Sequence, residues 1–290
     1  MSVCSTGAVC TDPARPACAS NAAPWVPTIA STSEEVVAHE GVNAEYRRLA
    51  VRAGLPAANA LAGQFFQLLC PGSAHGDPFL RRPMSLYGAN PATGTVEFLY
   101  KVSGVGTHGL ATLKVGDSLD IMGPLGIGYT LNPACQHIVV VGRGVGLATL
   151  APLAKEASQR GIGVTAVFSA RRRDLLMSVD LFERHGATVV SVTDDEGNSG
   201  PAHVEQILRG LIAERRCDAF YTCGSSRLAR VQQNLAVEFN LPGQVALEQQ
   251  MACGLGFCYC CVRDFNVGGQ IVHKRVCCEG PVFDIREALT

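Results

Sequence analysis

The stretch MACGLGFCYCCV, residues 251–262, places cysteines at 253, 258, 260 and 261, and KRVCCEGPVF adds Cys277 and Cys278. Cys253, Cys258 and Cys261 stand as C-x4-C-x2-C with a further cysteine downstream, which is the plant-type [2Fe-2S] ligand spacing. Two irons need four thiolates. Gly254 and Gly256 let the intervening loop wrap a cluster so that backbone N–H groups face its sulfides. Zinc competes for the same residues, because C-x2-C is also a zinc half-site, and a zinc-bound binding module without redox activity is the alternative from another class. The C-x4-C element and the loop glycines favour iron and sulfur.

A second constellation is VVVGRGVGLATLAPL, where an apolar run leads into Gly142, Gly144 and Gly146 and then a helical pattern. Backbone N–H groups at such a helix start face a phosphate, and missing Cβ atoms permit close approach, so a dinucleotide is the default ligand. The G-x-G-x-G pattern is shorter than the full Rossmann G-x-G-x-x-G, which leaves a plain tight turn as the alternative. Further on, SARRRDLL sets Arg171, Arg172 and Arg173 where a doubly wound fold puts the adenosine ribose. Arginines there can accept a 2′-phosphate or form a solvated cluster, so NAD(H) and NADP(H) both stay open. The third constellation is LRRPMSLY: an Arg beside Pro, then Ser85 and Tyr87 at alternating positions, able to offer a flavin a guanidinium, a hydroxyl and a ring. A surface edge strand carrying a proline is the other reading.

These groups need more than one core to position them, because 290 residues reach the size at which a single core stops growing, roughly 250–300 residues. Residues 34–132 give short apolar runs punctuated by turn residues, which predicts an antiparallel barrel. Residues 133–240 alternate continuous apolar strands (HIVVVG, GVTAVF, ATVVSV, DAFYTCG) with amphipathic helices, which predicts a doubly wound parallel sheet. Residues 241–290 are too few for another large core and carry six of the thirteen cysteines, so a metal is expected to hold them together. The fold class is thus α+β multidomain: barrel, α/β nucleotide domain, and small C-terminal cluster module. Residues 1–33, rich in Ala, Ser, Thr, Pro and Cys without periodicity, are expected to be a poorly ordered extension, and Cys4, Cys10 and Cys18 match no metal motif.

A formal charge of −1 offers no footprint for nucleic acid or an anionic membrane. Neither a signal peptide nor a run of about 18 apolar residues is seen, so a reducing, cytoplasmic setting is expected, where clustered cysteines serve metals or redox more often than disulfides. The seven histidines, His39 among them, form no group at ligand spacing.

Barrel, nucleotide domain and C-x4-C-x2-C module in this order resemble the electron-transfer subunit of class 1B dihydroorotate dehydrogenases, within the ferredoxin reductase superfamily. The resemblance covers about 34 to 290, and LEQQMACGLGFCYCCV…KRVCCEGPVFD is its most specific segment. It implies FAD held by Arg82, Pro83, Met84 and Ser85, by Leu99, Tyr100 and Lys101, and by Gly106 and Thr107. It implies the nicotinamide near Cys223 and Gly224, where Ser225 stands in place of the superfamily's proline. It implies Cys253, Cys258, Cys261 and Cys277 as cluster ligands, with Cys260 and Cys278 extra to the pattern. The function implied is an oxidoreductase subunit that passes electrons between NAD(H), FAD and a [2Fe-2S] cluster. The implied partner is an FMN-bearing dihydroorotate dehydrogenase subunit in a hetero-oligomer serving pyrimidine synthesis. A reductase subunit serving another oxidoreductase or a ferredoxin keeps the same cofactors.

Overall fold

The computed structural model describes residues 29–289, so Cys4, Cys10 and Cys18 and nearly all of the expected extension lie outside the described residues. The first strand, β1 (Ala30–Gly41), starts within the segment assigned to that extension. It is followed by β2 (Tyr46–Arg52), the short helix α1 (Leu55–Ala58), β3 (Phe65–Leu68), β4 (Arg82–Asn90), β5 (Thr95–Lys101), helix α2 (Val105–Leu110) and β6 (Ser118–Leu125). The six strands close into an antiparallel barrel in the order β1-β2-β5-β4-β3-β6. Two-residue alternation decides which side chains fill it. On β5, Val96, Phe98 and Tyr100 point inward with Phe66, Leu68 and Leu86, while Leu99 is buried on the opposite face against the next domain.

The chain then alternates: β7 (His137–Arg143), α3 (Gly146–Gln159), β8 (Gly163–Ala170), α4 (Val179–Arg184), β9 (Thr188–Thr193), α5 (Pro201–Ala213), β10 (Ala219–Cys223), α6 (Ser226–Glu238) and β11 (Gly243–Ala246). Strands β7 to β11 pair in parallel, and the sheet order is β14-β11-β10-β7-β8-β9, with β14 (Val282–Asp284) added antiparallel to β11. Its inner strands are apolar on both faces, as helices on both sides require. Val139, Val141, Val167 and Phe220 meet α5 and α6. Ile138, Val140, Ala166 and Phe168 meet α3 and α4.

The remainder forms a hairpin, β12 (Val262–Val267) with β13 (Gln270–Arg275), and a single turn, α7 (Val276–Glu279). The segment 241–290 is therefore shared: β11 and β14 belong to the parallel sheet, and the hairpin and loops carry the cysteines. The short run GQVA gives too little apolar pattern to announce a sheet strand. Phe265 of β12 is fully buried, 4.4 Å from the ring of Phe283 on β14, and shares a core with Cys261, Cys277, Phe65 and Leu125. No helix among the described residues is long and apolar enough to cross a membrane.

Phe265 pins the cysteine hairpin to the sheet, so Phe265→Ala is expected to destabilise the protein by about 3–5 kcal/mol. Urea unfolding measures this, and a cost below about 1 kcal/mol would show that the hairpin is held by something else.

Candidate functional site

Strand order reverses between β7 and β10, and in an open α/β sheet such a switch point leaves a crevice beyond the carboxyl ends of the strands. There Gly142 pairs with Cys223. Backbone approach explains two glycines of the site. A Cβ on Gly146 would stand 2.5 Å from the Cys223 carbonyl oxygen, and one on Gly224, whose φ is +90°, would stand 2.2 Å from the Arg143 carbonyl oxygen. The turn after β7 and the turn after β10 touch only because both lack side chains. Gly144 lies over the Tyr46 hydroxyl of the barrel, 3.1 Å from its would-be Cβ. Gly144 and Gly146, singled out by spacing, and Gly224, implied by the resemblance, thus build one crevice floor, and Gly142 is packed under Leu147.

The arginine cluster is differently placed from a free anion site. Arg171 bonds Glu45, Arg172 pairs with Asp174 at 2.9 Å, and Arg173 pairs with Glu196 at 2.7 Å. Arg143, which spacing did not single out, holds Asp194 through two nitrogens and the Ser169 hydroxyl at 2.6 Å. Hydrogen bonds from Arg143 and Ser199 keep the Asp194 carboxyl below the usual carboxylate range.

A cleft of about 950 Å³ opens between the barrel and the crevice, lined by Arg82, Pro83, Met84, Ser85 and Leu99 on one side and by Val145, Thr149, Cys223, Glu248 and Cys260 on the other. Arg82 bends across the start of α2: a Cβ on Gly106 would stand 2.9 Å from its Nε. Among the described residues no carboxylate pairs with it, whereas its neighbour Arg81 is taken by Asp120 at 2.9 Å. The Thr107 hydroxyl accepts the Ser103 and Gly104 N–H groups, so it shapes the turn before α2. Leu99 reaches the cleft, but Tyr100 does not. The Tyr100 side chain is buried inside the barrel with its hydroxyl 2.8 Å from His39 Nε2, and Lys101 is held by Glu45 at 2.8 Å. Strand alternation is the reason: 99 and 100 face opposite ways. Tyr87 likewise leaves the flavin side, its hydroxyl sitting 3.0 Å from Ser178 across the domain interface.

Spacing alone did not single out Glu248, which follows β11 inside the LEQQMACG segment that carries the resemblance. The residue is exposed at the cleft wall, desolvation raises its carboxyl pKa, and Cys223 Sγ lies 4.0 Å from its Oε1 and 3.7 Å from the Thr149 hydroxyl. Burial also raises the Cys223 thiol, which stays protonated in this corner.

The cysteines divide into pairs. The Cys258 thiol hydrogen-bonds Cys253, and Cys261 hydrogen-bonds Cys277, whose N–H also reaches Cys261 Sγ at 3.4 Å. At Cys253 burial raises the pKa, but N–H groups of Leu255, Cys258 and Phe257 and the Cys258 thiol outweigh it and bring the thiol down to about 6. Burial, then Cys261, pushes Cys277 up. Gly254 and Gly256 both have positive φ, which turns the loop N–H groups toward the sulfur. No group of three or more His, Cys, Asp or Glu side chains gathers as a site for one ion among the described residues, and a [2Fe-2S] cluster asks only two thiolates of each iron. The donor set fits that cluster. Of the two extra cysteines, Cys260 is exposed and lines the cleft, and Cys278 Sγ packs 2.9 Å from a would-be Cβ on Gly256. Arg275 clips the loop in place through the Gly256 carbonyl at 3.1 Å, the Tyr259 ring at 5.2 Å and Glu279 at 2.9 Å.

Comparison with known proteins places this geometry. The family model for the iron-sulfur cluster binding domain of dihydroorotate dehydrogenase B matches residues 248–288. The chain is 34% identical over 224 residues to the electron transfer subunit of dihydroorotate dehydrogenase B (NAD(+)) from Desulforamulus reducens, covering 77% of this chain and 85% of that protein. The corresponding subunit from Bacillus caldolyticus is 35% identical over 230 residues, covering 78% and 86%. Among solved structures, an NADH-dependent reduced ferredoxin-NADP oxidoreductase that performs flavin-based electron bifurcation superposes with a TM-score of 0.73 at 30% identity, covering 88% of each chain. Ferredoxin-NADP+ reductase from Plasmodium falciparum superposes with a TM-score of 0.56 at 12% identity over 71% of this chain and 89% of that one, a likeness of fold alone.

If the pairs 253/258 and 261/277 are the donor set, Cys258→Ser and Cys277→Ser lose iron and acid-labile sulfide after purification, whereas Cys260→Ser and Cys278→Ser keep both. Iron retained by Cys277→Ser and lost by Cys278→Ser would move the fourth ligand by one residue.

Proposed function

Because the chain belongs to the family of dihydroorotate dehydrogenase B electron transfer subunits, we propose that it carries electrons between NAD(H), FAD, a [2Fe-2S] cluster and a catalytic flavoprotein partner. When bound, these groups would supply hydride exchange at the nicotinamide and one-electron transfer between flavin and cluster. The observation that carries this reading is the shared cleft: Arg82 to Ser85 of the barrel, Cys223 of the nucleotide crevice and Cys260 of the cysteine loop line one space. The barrel is proposed as the FAD unit, the parallel sheet as the nucleotide unit, and the loop with its hairpin as the cluster unit.

Each residue then has a task. Arg82, unpaired with any carboxylate, meets the flavin's pyrophosphate beside the Gly106-Thr107 turn, where backbone N–H groups add to the positive field. Ser85, facing the cleft, offers a hydroxyl to the ring system. Gly144, Gly146 and Gly224 let the dinucleotide approach the backbone. Cys223, Thr149 and Glu248 close the far wall, where the buried Cys223 thiol and the Thr149 hydroxyl bring no fixed charge.

We assign NAD(H) over NADP(H), since Arg171, Arg172 and Arg173 are each bonded to a carboxylate, Arg171 sharing Glu45 with Lys101. A 2′-phosphate would have to displace Glu45, Asp174 or Glu196. The partner is proposed to be the dihydroorotate-oxidising subunit named in the relatives, in a hetero-oligomer and in a reducing, cytoplasmic setting. The superposition on the ferredoxin-NADP oxidoreductase favours a second reading, in which the same relay serves a ferredoxin or another oxidoreductase. Isolation of the native complex separates the two: dihydroorotate-dependent reduction of NAD+ supports the first, and its absence together with ferredoxin-dependent turnover supports the second.

NADH is expected to exceed NADPH in kcat/KM by at least about tenfold, or about 1.4 kcal/mol. Asp174→Ala, which frees Arg172, narrows that gap. Equal use of the two nucleotides by the unaltered protein would contradict the assignment.

A further inference from the structure

Gln67 on β3 is fully buried, and neither its Nε2 nor its Oε1 has a hydrogen-bond partner. A buried carboxamide with both ends unpaired is costly, and native proteins satisfy such groups with something. Strand alternation tells which way it faces. Phe66 and Leu68 point into the barrel core, so Phe65 and Gln67 point outward, and Phe65 belongs to the core that contains Cys261 and Cys277. Pairing between β3 and β6 shifts between Phe65 and Gln67, an irregularity of the kind that re-aims side chains beside functional sites.

What Gln67 faces is the cysteine loop. A Cβ on Gly254 would stand 2.9 Å from Gln67 Nε2 and 2.9 Å from its Cγ, so the glycine next to Cys253 lies directly on the carboxamide. Gln67 does not line the large cleft, which removes the flavin as its partner. It touches the loop whose thiols are proposed to hold iron.

We propose that the Gln67 carboxamide donates an N–H to a sulfur of the [2Fe-2S] cluster bound by Cys253 and its partners, and thereby raises the cluster's reduction potential. The inference rests on the cluster assignment above. Sulfurs of the reduced cluster carry more negative charge than those of the oxidised one, so a donor aimed at them stabilises the reduced state. The same side chain packs the barrel against the cluster loop at Gly254.

Two variants test it in the holoprotein: Gln67→Met, which keeps length and removes the donor, and Gln67→Leu. EPR-monitored redox titration is expected to show the reduced-to-oxidised ratio at a fixed potential falling about tenfold, a shift of about 59 mV to lower potential for a one-electron couple. Iron and sulfide content should stay equal to the unaltered protein. In the reduced holoprotein, pulsed EPR with side-chain 15N-glutamine should give a nitrogen coupling that Gln67→Met loses. A filled cluster with unchanged potential in the variants and no glutamine coupling in the unaltered protein overturns the proposal while leaving the cluster reading intact. Failure of the unaltered protein to hold iron and sulfide overturns both.

Discussion

One apolar core holds this molecule's working parts at fixed distances. Phe65 and Leu125 from the barrel, Val139, Val141 and Phe220 from the parallel sheet, and Phe265 from the cysteine hairpin pack together with Cys261 and Cys277 themselves. Two of the four proposed ligands are thus buried core residues first. An aromatic side chain buries roughly 150–250 Å², so Phe65, Phe220, Phe265 and Phe283 supply a large share of what resists separation of the three units. An electron relay needs centres that do not drift apart, and this core meets that need without a linker between cluster and sheet.

The polar parts are set against that frame. Where a ligand's charge is to be received, Arg82 keeps its guanidinium free of carboxylates while Arg81 next door is tied to Asp120. Elsewhere Arg171 to Arg173 each bond a carboxylate, Arg171 sharing Glu45 with Lys101, and the Cys223 thiol is buried and protonated. The cysteine loop combines the two strategies: Cys253 is drawn toward thiolate by surrounding N–H groups, whereas burial and Cys261 hold the Cys277 thiol protonated.

Much of this was readable from the chain because the chemistry demands short-range patterns. The C-x4-C-x2-C spacing, the glycines 142, 144 and 146 after an apolar run, and the Arg82 to Ser85 stretch are local; Arg82 to Ser85 line the cleft directly, whereas the glycine turn reaches it through Val145 and the cysteine loop through Cys260. Strand and helix alternation from β7 onward was equally legible because buried parallel strands and amphipathic helices differ in period. What escaped depends on contacts remote in sequence. Tyr100 matched a motif, yet it turns inward to His39 because its neighbour Leu99 takes the outward face. Tyr87 looked available for a flavin and instead joins Ser178, 91 residues away. The pairing of Arg171 with Glu45 spans 126 residues, and nothing in SARRRDLL announces a carboxylate from the barrel. Gln67 has no motif, and only its burial with an unpaired carboxamide marks it.

The central claim is that the flavin, nicotinamide and cluster sites of this single chain form one connected relay. Anaerobic addition of NADH to the purified holoprotein, with flavin absorbance and EPR recorded together, tests it most directly. The account predicts that flavin absorbance falls and that the EPR signal of the reduced [2Fe-2S] cluster grows in the same protein without any partner present. Flavin reduced by NADH beside a cluster that stays oxidised, although a chemical reductant of potential no lower than that of NADH can reduce it, would contradict the account.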